Sequence, residues 1–90
     1  MPQSTANVTI SNRLGLHARP AMSLVDTASG FSSDIKIAKD QQVVDAKSIM
    51  QLMMLAATKG TRLTVTADGP DADDAVAAIT ALVDSKFDED

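Results

Sequence analysis

Polar and apolar residues alternate along this chain at two periods, and the switches between them mark seven elements. Asn7 to Ser11 alternates with period two and sets Val8 and Ile10 on one face of a first strand. The polar stretch Met1 to Ala6 before it is expected to fray. From Ala18 to Ser29 the period becomes helical, with Ala21, Leu24, Val25 and Ala28 on one face. Gly30 is expected to stop this helix, and Phe31 to make the apolar contact that often follows such a stop. Asp34 to Lys39 forms a second strand with Ile35 and Ile37 inward, and Lys39-Asp40-Gln41 turns into a short third over Gln42 to Asp45. Ile49 to Ala57 is expected to be helical and to stop at Lys59-Gly60. Leu63, Val65 and Ala67 alternate as a fourth strand. Asp71 is placed to cap a last helix, with Asp73 and Asp74 in its positive first turn. The buried stripe of that helix is Ala75, Val76, Ile79, Leu82 and Val83.

The order β-α-β-β-α-β-α predicts an α+β fold, a four-stranded antiparallel sheet with three helices on one face. The 90 residues suffice for one domain spanning 1–90, and 44% apolar content is enough to give it a core. With no cysteine and a single histidine, disulfides and a structural zinc site are not expected, and no metal or cofactor is assigned. No charged-then-apolar leader and no long apolar span occurs, so the expectation is a cytoplasmic protein that does not enter a membrane.

Charge changes this picture through its distribution. From Asp68 onward there are eight acids and one base, whereas the preceding residues hold seven bases and four acids. Two of those bases, Arg13 and Arg19, flank the histidine. Overall acidity without Tyr or Trp speaks against nucleic acid as a partner. The locally basic pole suits a phosphate or an acidic protein. The acid run itself is read as solvated helix face and tail, with no chemistry assigned.

The candidate chemistry lies in Gly15-Leu16-His17-Ala18-Arg19-Pro20-Ala21, where strand gives way to helix. Gly15 permits a tight or left-handed turn, and Pro20 suits a first helical turn, where its missing N–H has no intrahelical acceptor. A helix starting at Ala18 makes His17 its N-cap. The imidazole, a nucleophile near neutral pH, then stands beside free N–H groups, the positive helix end and the Arg19 guanidinium. These donors converge on a place for a dianion, and the reading is a histidine that carries a phosphoryl group. A hydrolase using His17 as general base is disfavoured, because no partner nucleophile or carboxylate lies close in sequence.

A second block follows. Ser48 and Gln51 fit a capping box, the serine accepting from a first-turn N–H and the glutamine reaching back. The next helix is apolar almost all round (Ile49, Met50, Leu52, Met53, Met54, Leu55), and so short a helix cannot bury every side in so small a domain. Some of Ile49, Met50 and Met53 are therefore expected to stay exposed as a partner surface, with Met22 at the histidine end and Arg19 and Lys47 around it.

GLHARPA, between a strand and an amphipathic helix, resembles the active-site signature of the phosphocarrier protein HPr family of the bacterial phosphoenolpyruvate-dependent phosphotransferase system. The Ala46 to Met53 block resembles that family's regulatory-serine region at a matching distance, and Lys59-Gly60-Thr61 and Gly69-Pro70-Asp71 fit as well. The resemblance implies strand order 1-4-2-3 and a monomer that is a cycling co-substrate rather than an enzyme. It implies that His17 accepts phosphoryl on Nδ1 from enzyme I and passes it to an enzyme IIA-type protein. Arg19 would stabilise the moving charge, and Ala18, Arg19 and Pro20 would form the turn that holds the phosphate. It also raises Ser48 as the target of an HPr kinase/phosphorylase. Lys47-Ser48-Ile49-Met50 resembles the kinase-regulated, sugar-transport members, whereas Met53-Met54-Leu55 and Phe87 to Asp90 resemble the nitrogen-related variant. The alternative is a regulatory binding module of the same fold that no longer transfers phosphate; the joint presence of His17, Arg19 and Pro20 speaks against it.

Overall fold

The structure is a computed structural model that describes residues 2–89. Its elements are β1 (Gln3–Thr9), α1 (Ala18–Ser29), β2 (Asp34–Lys39), β3 (Gln42–Asp45), α2 (Ile49–Met54), β4 (Arg62–Asp68) and α3 (Ala72–Asp84). The sheet runs β1-β4-β2-β3 with every neighbouring pair antiparallel. This is the order that the resemblance implied.

Alternation decides which side of the sheet is covered. Val8 pairs with Leu63, Ile37 with both Val65 and Val44, and Ile35 with Ala67, so these apolar side chains share one face. All are buried, together with Leu24 and Ala28 of α1, Leu52 of α2, and Ala75, Ile79 and Val83 of α3. On the opposite face Thr64 Oγ1 donates to Asn7 Oδ1 at 2.8 Å, and the Thr5 and Thr66 hydroxyls lie 3.4 Å apart.

Several expectations are corrected. The strand expected over Asn7 to Ser11 spans Gln3–Thr9, so most of the segment expected to fray is sheet. Pairing of Gln3 with Asp68 through Thr9 with Arg62 supplies its polar residues with backbone partners. The middle helix ends at Met54, well before Lys59-Gly60. Ala56 there adopts φ 50°, Lys39 Nζ donates to the Leu55 carbonyl at 2.8 Å, and Gln42 Nε2 reaches the Met54 carbonyl at 3.3 Å. The strand side chains thus satisfy carbonyls that a longer helix would have used. In α1 the buried set is Pro20, Ala21, Leu24 and Ala28, with Val25 only partly covered. Leu82 of α3 is likewise partly covered.

Asp71 flanks α3 as expected, but its side chain makes no capping bond to that helix. It turns instead to the loop after α1, accepting from the Ser32 and Ser33 N–H groups at 2.9 Å each and from both serine hydroxyls. These donors hold its carboxyl down at about 2, the Ser33 hydroxyl contributing most. No described helix is long and apolar enough to cross a membrane.

Candidate functional site at the start of α1

The loop from Asn12 to Leu16 is shaped by its fit against the segment after α2. Gly15 has φ 69°, and a Cβ there would lie 2.6 Å from the Ala57 carbonyl oxygen and 2.8 Å from Thr58 Cα. Only glycine meets both demands. The next residue, Leu16, is buried and donates its N–H to the Ala57 carbonyl at 2.8 Å. The His17 N–H then donates back to Gly15 at 3.0 Å.

His17 is the N-cap of α1, with extended backbone at φ −83° and ψ −171°, as the sequence suggested. Its carbonyl accepts from the Ala21 N–H at 3.0 Å, while its side chain makes no capping bond. The imidazole is 36% exposed. Within the described residues the Ala18 and Arg19 N–H groups have no acceptor, and both residues are exposed. Pro20, expected in the phosphate-holding turn, is buried and has no N–H to offer. Its part is to set the helical start; the donors are Ala18 and Arg19. Arg19 is exposed and close enough for its charge to act on Glu89.

Glu89 is the residue at this site that sequence reasoning missed. Its acidic surroundings predict a solvated tail, yet Glu89 Oε1 lies 2.7 Å from His17 Nε2. It also accepts from Asn12 Nδ2 at 3.0 Å. The hydrogen bond from His17 chiefly holds the Glu89 carboxyl below the usual glutamate range, with smaller help from Asn12 and Arg19, against the cost of desolvation. Asn12, also unremarked in the sequence, is fully buried and gives its other amide hydrogen to the Gly15 carbonyl at 2.7 Å.

Around α2 the structure sorts the apolar excess largely as expected. Leu52 and Leu55 are buried, whereas Ile49, Met50 and Met53 are exposed, Met50 to 75%. Met22 on α1, which packs beside α2, is exposed too. Leu14 and Met54 are exposed as well, which the sequence pattern does not predict. Ser48 caps α2, its hydroxyl accepting from the Gln51 N–H at 3.2 Å. The reciprocal half of the box differs from expectation: Gln51 Oε1 accepts from the Asp45 N–H at 2.9 Å, while the Ser48 N–H donates to the Asp45 carbonyl. Lys47 is half-buried, its ammonium donating to the Phe31 carbonyl at 2.8 Å beyond the end of α1.

Among the described residues, a half-exposed imidazole beside unclaimed amide donors and a guanidinium forms an open site that favours an anion. Residues 4–85 match the family model described as PTS HPr component phosphorylation site. The chain belongs to this HPr family of phosphocarrier proteins of the phosphotransferase system. It is 46% identical over 83 residues to the phosphocarrier protein HPr of Cupriavidus necator, covering 92% of this chain and 93% of that one. It is 43% identical over 84 residues to the phosphocarrier protein NPr of Escherichia coli K12, with the same coverage of 92% and 93%. The crystal structure of HPr-C-His from Thermoanaerobacter tengcongensis superposes with a TM-score of 0.93 at 44% identity, covering 97% of this chain and 98% of that one.

Proposed function

We propose that His17 accepts a phosphoryl group from phosphorylated enzyme I and passes it to a histidine of an enzyme IIA-type protein. The observation that carries this reading is the N-cap position of the single histidine, half-exposed beside Ala18 and Arg19 N–H groups that have no partner among the described residues. Two amide donors, the helix dipole and Arg19 favour an anion there without enclosing it. That openness serves a carrier, because a phosphate held too tightly would not move on. Nδ1 is the accepting atom in this reading, since Nε2 is already engaged by Glu89. The test is incubation with phosphoenolpyruvate and enzyme I. Acid-labile phosphate should appear on the protein and be absent from His17→Ala; a His17→Ala protein that still accepts phosphate overturns the reading.

The partner surface proposed here joins the His17 pole to Met22, Ile49, Met50 and Met53, with Arg19 and Lys47 at its margin. The exposure of the four apolar side chains supports it. Ser48 lies within this surface and is proposed as a site of regulatory phosphorylation by an HPr kinase/phosphorylase. A phosphate there would add about −1.5 to −2 charges beside the apolar patch. Ser48→Asp should weaken transfer from enzyme I while thermal stability stays near wild type, because aspartate also caps helices. Wild-type transfer by that variant would place the docking surface elsewhere.

A further inference from the structure

Beyond α3 the chain makes an uncommon turn. Lys86, Phe87 and Asp88 adopt φ of 59°, 56° and 57°, a left-handed turn built entirely from non-glycine residues. Such backbone is costly for side chains with a Cβ and persists only where other contacts fix it. Two contacts do so here. Phe87 is buried in the core at 7% exposure, and Glu89 reaches both His17 Nε2 and Asn12 Nδ2. Asn12 is fully buried, and both acceptors within its reach, the Gly15 carbonyl and Glu89 Oε1, face its nitrogen. Rotating the amide would set oxygen against two oxygens, so Asn12 holds the carboxylate in one place.

An ionised carboxylate only accepts, so the nitrogen it meets must carry hydrogen. We infer that Glu89 is a positioning residue for phosphoryl transfer: delivered by the left-handed turn and steadied by Asn12, it holds His17 as the Nε2–H tautomer and leaves the Nδ1 lone pair free to attack phosphorus. The inference rests on the reading of His17 as acceptor. When Nδ1 bonds to phosphorus, the bond from phosphorus to the donor atom breaks and its electron pair leaves with the donor. The positive charge left on the ring is shared with Nε2–H, which faces the Glu89 carboxylate, and no proton moves. Onward transfer reverses this, the pair of the nitrogen–phosphorus bond returning to Nδ1. The same carboxylate that prepares the ring also stabilises the charged ring of the phosphorylated state.

The full chain with 15N-labelled histidine tests this directly. Wild type should show an Nε2–H proton at low field, protected from exchange, and an unprotonated Nδ1. Glu89→Ala should lose that protection, raise the Nδ1–H fraction and lower kcat/KM for phosphorylation by enzyme I about tenfold, with the fold unchanged. Glu89→Gln, which retains an accepting oxygen, should recover the protected proton and part of the rate. An Nε2–H signal and rates unaltered in Glu89→Ala overturn the inference. So does faster transfer by that variant, which would make the turn an inhibitory contact. A wild-type protein that takes no phosphate refutes the acceptor reading, while the nitrogen spectra still decide whether Glu89 sets the tautomer.

Discussion

The two ends of α1 each meet a carboxylate supplied from far along the chain, and they use it differently. Beyond the C-terminal end, Asp71 is enclosed by two backbone N–H groups and two serine hydroxyls. None of these donors titrates in the ordinary range, and the Lys47 ammonium closes over the neighbouring Phe31 carbonyl. At the N-terminal end, about 18 Å away along a 12-residue helix, Glu89 is held by one side-chain amide and the imidazole of the single histidine. Both carboxyls are depressed, one chiefly by the Ser33 hydroxyl and the other chiefly by the hydrogen bond from His17. The same depression thus has two origins: a closed set of serine and backbone donors that ties loop to helix, and an open pair of side chains at the site proposed above to carry phosphate.

The sharpest way to break this contrast is to exchange the damage. His17→Ala should abolish phosphate acceptance and leave the thermal midpoint close to wild type, because a half-exposed cap side chain contributes little packing. Asp71→Ala should do the reverse, lowering the midpoint by several degrees while phosphorylation by enzyme I continues. Calorimetry together with a phosphorylation assay reads both, and an Asp71→Ala protein that folds yet fails to transfer would show the ends to be coupled. Next in size, Arg19→Ala should slow transfer about ten- to a hundredfold without unfolding the protein. Rapid-quench rates in both directions check this, and unchanged rates remove Arg19 from the mechanism.

Acid separates the ends more gently. Asp71 binds its proton less tightly when folded, at about 2 against an ordinary 3.8, so its contribution is complete above the ordinary value. That contribution is lost as pH falls through the folded value. Asp71→Asn should therefore flatten the fall in thermal midpoint between roughly pH 4 and 2. The smallest expected effect is a gain. Lys86→Gly relieves a left-handed residue and should raise stability by about 0.5 kcal/mol in chemical denaturation, with the tail still in place.

Much of this was legible in the sequence because it is written in periodicity. Ile35, Ile37, Leu63 and Val65 alternate and face the core, and His17 caps the helix that starts at Ala18. The excess of apolar side chains after Ser48 correctly announced exposed methionines. What stayed hidden depends on distant partners. Gln3 to Ala6 carries no strand signal of its own, yet β4 offers it a full register. The early end of α2 follows from Lys39 and Gln42, which reach its carbonyls from the hairpin. Glu89 meets His17 only through three consecutive left-handed residues, a conformation that residue preferences argue against. The one signal in the tail was Phe87, an apolar residue among acids, which is the anchor that makes the return possible.

The fit of Gly15 against Ala57 and Thr58 has a consequence for how an encounter is won. Leu16 donates to Ala57, so the histidine loop is fastened to the segment leaving the methionine-bearing helix. A protein landing on that helix, as proposed above, meets a reactive nitrogen whose bearing is already fixed. Landing and aiming become one event, and the orientational entropy that two separate loops would forfeit on contact has already been lost during folding. A side chain at position 15 would pry the two apart, and each collision would then have to search for what wild type presents ready-made.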